Sequence, residues 1–249
     1  MSTLRILLSV TACVGVILYL QACSPVPYAN VGLNVPMLKE KGEVNLNAAF
    51  GTTEDAEGFA LQAAAAVDSS LSLMASFYVL NNTTNTDWDG RGSYVEFGLG
   101  KFGRVSRDRK IIYDAHLGLG YGGIKNESGI QSLNVNFIKP FLQGSIGFNH
   151  KIVDVALTSR FAVVNFTDFE YRFDDAAYSL EASQFFEENE TKFVFEPGIT
   201  VRVGYEAVRL SLQFSTTTFS VGEEFPNSNI NSDYFSIGLN ALIGKRWTD

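Results

Sequence analysis

Histidine and cysteine are nearly absent from this 249-residue chain, which has two of each. Cys13 and Cys23 cannot build a disulfide framework. With only His116 and His150, chemistry that depends on histidine has two residues to draw on. Proline is scarce too, with six residues, and no Pro/Ser-rich linker follows residue 42, so a single domain is expected beyond that point. Basic residues are outnumbered, 19 against 27 acids, for a net charge of −8. No basic stripe interrupts that balance, which excludes a nucleic-acid partner. The longest apolar run near the start, Ile6–Leu20, is too short and too early for a transmembrane helix.

What is present begins with that run. Arg5, the apolar stretch and the small residues after it have the order of a signal peptide. The quartet Leu20-Gln21-Ala22-Cys23 closes it. This quartet resembles the lipobox of bacterial lipoproteins. The resemblance implies cleavage before Cys23, a diacylglycerol on its sulfur and acylation of the new amino terminus. Residues 1–22 are therefore expected to be a lipoprotein signal peptide. Residues 23–42, which carry three prolines and no clear periodicity, are expected to be a lipidated tether.

From residue 43 onward the chain alternates with period two, ten times over. Val44, Leu46, Ala48 and Phe50 share a face against Asn45 and Asn47. Tyr113, Ala115, Leu117, Leu119 and Tyr121 oppose Ile112, Asp114, His116, Gly118 and Gly120. Val208, Leu210, Leu212 and Phe214 oppose Arg209, Ser211, Gln213 and Ser215. The sixth run, about 134–148, loses phase near Lys139-Pro140, which predicts a bulge or kink. Soluble sandwiches alternate as well. Three features select a membrane barrel instead. Many runs reach nine residues or more, enough to cross a bilayer when tilted. The polar face is rich in Gly, Ser, Asn and Gln. Connections alternate between short (68–70, 149–151, 205–207) and longer (81–92, 123–133, 167–190, 221–231), with 103–109 intermediate and 52–57 an exception. The expected fold is all-β: an up-and-down antiparallel transmembrane β-barrel of about ten strands over 43–249, with short periplasmic turns and longer external loops. Phe50, Phe59, Tyr78, Phe102, Tyr121, Phe148, Phe219, Tyr234 and Trp247 sit near strand ends, as interfacial girdles or as simple strand formers.

The segment Asn34-Val35-Pro36-Met37-Leu38-Lys39-Glu40-Lys41-Gly42-Glu43 and the hairpin Gly58–Tyr78 are similar to those of small lipobox-bearing outer-membrane β-barrel proteins of Bacteroidota-type bacteria. The resemblance spans most of the chain and implies an outer-membrane location with outer-membrane lipid as the surroundings. It implies no activity. Surface-exposed lipoproteins of such bacteria carry acids after the cysteine. Ser24-Pro25-Val26-Pro27 has none, which implies an anchor in the periplasmic leaflet.

On the barrel reading, Glu96, Asp114, His116, Asp154, Arg160, Glu196, Arg202 and Arg209 point into the lumen, several near mid-height. Buried charges of both signs should pair, so a plugging salt-bridge network is expected, centred on Glu96, Asp114, His116, Arg160, Glu196 and Arg202. Asn85–Gly90 followed by Glu96 has the spacing of a calcium loop, but Asn stands first and strands flank it. We expect a polar turn there and no metal. The acidic segment 169–190 carries Phe173, Tyr178, Phe185 and Phe186 and room for a short helix after Asp174-Asp175. These aromatics form either a partner-binding loop or a lid folded onto the barrel. The partner would be another outer-membrane protein or complex. Acids crowd the external side (Glu54, Asp55, Glu57, Glu223, Glu224) and bases the periplasmic side (Lys101, Arg104, Arg107, Arg109, Lys110, Lys151).

The first functional expectation is a non-enzymatic structural or accessory subunit of an envelope complex, with no cofactor beyond the acyl groups on Cys23. The second is a narrow pore or small-solute-binding barrel. The third is a membrane-embedded hydrolase or acyltransferase.

Overall fold

A computed structural model describes residues 27–53, 56–81, 88–105, 110–188, 190–205, 207–220 and 232–244. Ten antiparallel strands follow one another around a closed barrel. They are β1 (Val44–Thr52), β2 (Glu57–Ala66), β3 (Leu71–Asn81), β4 (Asp89–Arg104), β5 (Ile111–Ser128), β6 (Gln131–Asn149), β7 (Val153–Arg172), β8 (Thr191–Tyr205), β9 (Val208–Phe219) and β10 (Ser232–Ile243). β10 returns to β1, from Val44↔Ile243 to Thr52↔Phe235, so no sheet edge is left open. A helix, α1 (Ala176–Glu188), lies between β7 and β8. Among the described residues no helix is long and apolar enough to cross a membrane.

Side-chain parity sets the two faces. Phe97, Leu99, Leu117, Leu119, Phe161 and Leu239 are all more than half exposed on the outer wall. A continuous apolar belt of this kind is stable only against lipid. The alternate residues are inward and buried: Gln62, Ser76, Glu96, His116, Gln143, Arg160, Glu196 and Gln213. Parity also divides the nine aromatics. Phe50, Phe59, Tyr121 and Phe148 face outward, whereas Tyr78, Phe102, Phe219 and Tyr234 are buried inside. Those four cannot be girdle residues, and Trp247 lies outside the described residues.

Strand lengths are unequal. β4 to β8 run 15 to 20 residues, against 9 to 12 for the other five. The expected loop 123–133 is mostly strand: β5 and β6 stay paired to Ser128↔Gln131, joined by Gly129 and Ile130. Gly129 takes φ 59°, the left-handed region that a two-residue hairpin turn demands. The tall wall explains the loss of phase near residue 139. β6 has no parity break: Leu133, Val135, Phe137, Lys139, Phe141 and Gln143 all face inward. The apolar side switches instead. Above the membrane the outer face meets water and carries Asn134 and Asn136, while the inner face is apolar. The true bulge is in β7. Asn136 pairs with Asp168 and Phe137 with Phe166, which leaves Thr167 as the extra residue. Pro140, which has no N–H, falls where the ladder to β7 lapses between Ile138↔Asn165 and Phe141↔Ala162.

Residues 27–38, expected as part of a tether outside the barrel, run through its lumen instead; every one of them is buried. The physical reason is in the segment itself. Val31, Leu33, Val35 and Met37 alternate with Asn30, Gly32, Asn34 and Pro36, an amphipathic strand-like pattern that water would not retain. The signal peptide, Cys23 and residues 24–26 lie outside the described residues.

Candidate functional site

The lumen is where polar groups converge, and the N-terminal segment is one of its walls. At the periplasmic end Arg104 donates to the Lys39 carbonyl (3.2 Å), and the Lys39 N–H donates to Glu43 (2.6 Å). Higher up, Asn45 donates to Pro36 O (2.9 Å), Arg202 to Val35 O (2.6 Å) and Gln143 to Asn34 O (2.6 Å). Gln213 accepts from Leu33 N (2.7 Å) and donates to Leu33 O (2.9 Å), as a neighbouring strand would. Tyr78 donates to Gly32 O (2.5 Å), and Asn30 donates to Ser232 O (3.4 Å) at the external end of β10. Tyr28 donates to Glu196 (3.2 Å) and packs edge-on against Phe219, the last residue of β9. Lumenal side chains thus satisfy the carbonyls of residues 32–36 and the Leu33 N–H, which would otherwise be costly to bury. Close fit accompanies this. A Cβ on Gly32 would meet Gln213 and Tyr234 at 2.7 Å, and one on Gly198 would meet Leu33 at 2.9 Å. The small inward residues therefore make room for a chain.

Above the middle of this segment lies a closed charge network. Arg160 on β7 grips Glu96 on β4 bidentately (2.9 and 3.2 Å) and donates to Gln143 (2.8 and 3.0 Å). Its guanidinium stacks on Phe141, 4.3 Å from the ring centre. Lys139 donates to Glu196 (2.6 Å) and to Tyr28 (2.7 Å). Arg160 stands 3.8 Å from Glu196, joining the two pairs. All four ionic side chains have no exposed surface. Two acids and two bases balance, and hydrogen bonds from Ser76 (3.0 Å) and Tyr94 (3.3 Å) complete the shell of Glu96. Parity alone brings together Glu96, Arg160 and Glu196, as expected from the sequence. Lys139 was missed because the apolar switch in β6 disguised its side. Tyr28 carries no lumenal signal in the sequence, because the prolines around it give its segment the look of a tether. Arg202 does not belong to this quartet; it reads the segment's backbone at Val35.

Asp114 and His116 sit lower, near the periplasmic end of β5. His116 Nε2 is 2.9 Å from Ser72 Oγ, and Nδ1 is 3.4 Å from Asp114 Oδ1. This places Ser, His and Asp in catalytic order. Two observations count against catalysis. The His–Asp contact lacks hydrogen-bond alignment among the described residues, and Ser72 and His116 have no exposed surface. No acyl group reaches Ser72 Oγ in this conformation.

The external end is capped. Phe185, Phe186 and Ala182 of α1 are buried against Phe166, Phe169 and neighbouring apolar residues of the tall wall. Phe173 and Tyr178 pack edge-to-face at 4.6 Å and are partly buried in the same cluster. The partner-loop reading of these aromatics is therefore corrected: Phe185 and Phe186 are spent in a lid. Asp174, Asp175, Glu181, Glu187 and Leu180 remain on its outside. In the calcium-like stretch, residues 85–87 lie outside the described residues. Asp89 and Glu96 stand on opposite faces of β4, with Glu96 held by Arg160, so the two cannot share a cation. At the periplasmic side the Ser69 N–H, with Lys41 at 3.5 Å, holds the Asp68 carboxyl below the usual carboxylate range.

No protein-family model and no curated protein matches the chain. Solved barrels do. The translocator domain of the autotransporter NalP from Neisseria meningitidis aligns at 11% identity and TM-score 0.44, over 82% of this chain and 86% of that one. The outer membrane protease OmpT from Escherichia coli aligns at 10% and 0.42, over 81% and 96%. The N-terminal barrel domain of Pseudomonas aeruginosa OprF aligns at 8% and 0.35, over 82% and 100%. The likeness is one of barrel architecture.

Proposed function

We propose that this chain is an outer-membrane β-barrel lipoprotein that conducts nothing, plugged by its own N-terminal segment, and that it serves as a non-enzymatic structural or accessory subunit of an envelope complex. The observation that carries the reading is the occupation of the lumen by residues 27–38. A pore needs a continuous aqueous path. Here the lumen holds a buried chain, a closed ionic quartet and an aromatic lid. The outer wall supports the accessory part. Over Ala63, Ala65 and Ala75 the lipid face is hollow, a recess of about 690 Å³ bordered by Leu73, Phe97, Leu99, Leu117 and Leu119. Small residues at such a place let another transmembrane element approach the sheet closely.

Planar-bilayer recording tests this. The whole protein should give no discrete openings, and a variant lacking residues 27–38 should give them. Steady openings of the whole protein would instead favour the narrow pore.

A further inference from the structure

Five consecutive carbonyls of the lumenal segment, Gly32 to Pro36, each accept a hydrogen bond from a side chain of a different strand. The donors are Tyr78 of β3, Gln213 of β9, Gln143 of β6, Arg202 of β8 and Asn45 of β1. Gln213 also accepts from the Leu33 N–H at 2.7 Å. The wall thus grips main chain, which every polypeptide carries. The ten residues from Asn30, on Ser232, to Lys39, on Glu43, run the height of the twelve-residue β10, so the segment is close to full extension.

Side-chain seats alternate along the same stretch. Leu33, Val35 and Met37 share an apolar cluster with Ile112 and Ala156. Leu33 and Met37 lie over bare glycines: a Cβ on Gly198 would meet Leu33 at 2.9 Å, and one on Gly147 would meet Met37 at 2.5 Å. Between them Asn34 donates to the Ala63 and Ala75 carbonyls and to Ser76, each at 3.1 Å. Gly32 has no room for a side chain against Gln213 and Tyr234. Main-chain bonds for affinity and alternate pockets for selectivity are the means by which strand-like peptides are recognised.

We propose that the lumen is a binding site for an extended polypeptide, occupied here by the chain's own residues 28–39, and that it holds the same segment when a second copy of this chain supplies it. The ligand class is a peptide with glycine at the place of Gly32, an amide at that of Asn34 and apolar residues at those of Leu33, Val35 and Met37. None of the bonds listed needs the covalent link to β1. That link is the exposed turn 40–42, where a Cβ on Gly42 would touch nothing. The site rests on the lumenal course of this segment, as the plug does, and not on the accessory role.

The test uses the full chain. A protease-cleavage sequence is inserted between Lys41 and Gly42, and the folded protein is cut in detergent. The segment should stay with the barrel through size-exclusion chromatography, and Gln213→Leu should speed its loss at least tenfold. The cut protein is then unfolded in urea and refolded with excess fluorescent peptide of residues 27–40. The peptide should elute with the folded barrel, and its Gly32→Val form should be retained at least tenfold less. A segment that departs from a still-folded barrel overturns the proposal, as does a peptide retained no better than its Gly32→Val form. Mobility before and after heating shows whether the barrel is folded, and if the insertion prevents folding the sequence goes between Glu40 and Lys41 instead. Bilayer conductance separates the two readings: openings of the uncut protein would sink the plug, whereas a closed uncut protein whose segment departs on cutting would sink this site alone.

Discussion

At Arg160 the barrel concentrates its electrostatic risk. Removing this guanidinium leaves Glu96 and Glu196 in the lumen with Lys139 as the remaining base of the quartet. Arg160→Met should lower stability by about 3–5 kcal/mol, read as a shift in the urea midpoint of the folded band. The double variant Glu96→Gln with Arg160→Gln should recover much of that loss, because it removes charge in pairs. Ser72, His116 and Asp114 make a different prediction. Ser72→Ala should cost about 1–3 kcal/mol by orphaning His116 Nε2. A fluorophosphonate serine probe should leave the folded protein unmodified; labelling that disappears in Ser72→Ala would turn a lining hydroxyl into a nucleophile. Glu96, Arg160 and Glu196 could be read from the sequence because strand parity decides their side. Lys139 could not, since its neighbours Leu133, Val135 and Phe137 are apolar yet point inward.

Among the elements, the lid and the segment 27–38 depart most from the sequence reading. Neither adds a strand to the sheet, and both are satisfied by the barrel itself. α1 has a weak amphipathic signal because its buried residues, Ala182, Phe185 and Phe186, serve one end of the tall wall only. Phe186→Ala should destabilise the lid by about 3–5 kcal/mol. External protease should then cut within 176–188 at least tenfold faster, with the strands left intact. The N-terminal segment did carry a trace of its fate in the alternation of Val31, Leu33, Val35 and Met37. Its prolines masked that trace, and a segment that pairs through side chains such as Gln213 shows no strand ladder of its own.

Across the whole molecule, the closed ten-strand sheet, its two faces and its short periplasmic turns were legible throughout, because lipid and lumen impose opposite polarity on successive residues. Heights were less legible. The belt ends near Val95, Tyr121 and Ile138, yet the strands continue into water with Arg91, Lys125 and Asn134 on the outer wall. Backbone pairing needs no lipid to persist. If the recess over Ala63 and Ala75 receives another membrane protein, Ala63→Trp should leave folding unchanged and abolish co-purification of that protein in mild detergent. Retained co-purification would move the contact elsewhere on the barrel.

Threading also orders assembly in time. The lumenal segment is translated before every strand, and the wall that encloses it is sealed by the last one, where Asn240 donates to Asn45 at 2.7 Å. The segment is buried along residues 27–38 and continuous with β1, so the ring that encloses it is the ring it begins. If the sheet wraps around this segment, like a hand closing on a cord, the β1–β10 seam is the last to shut.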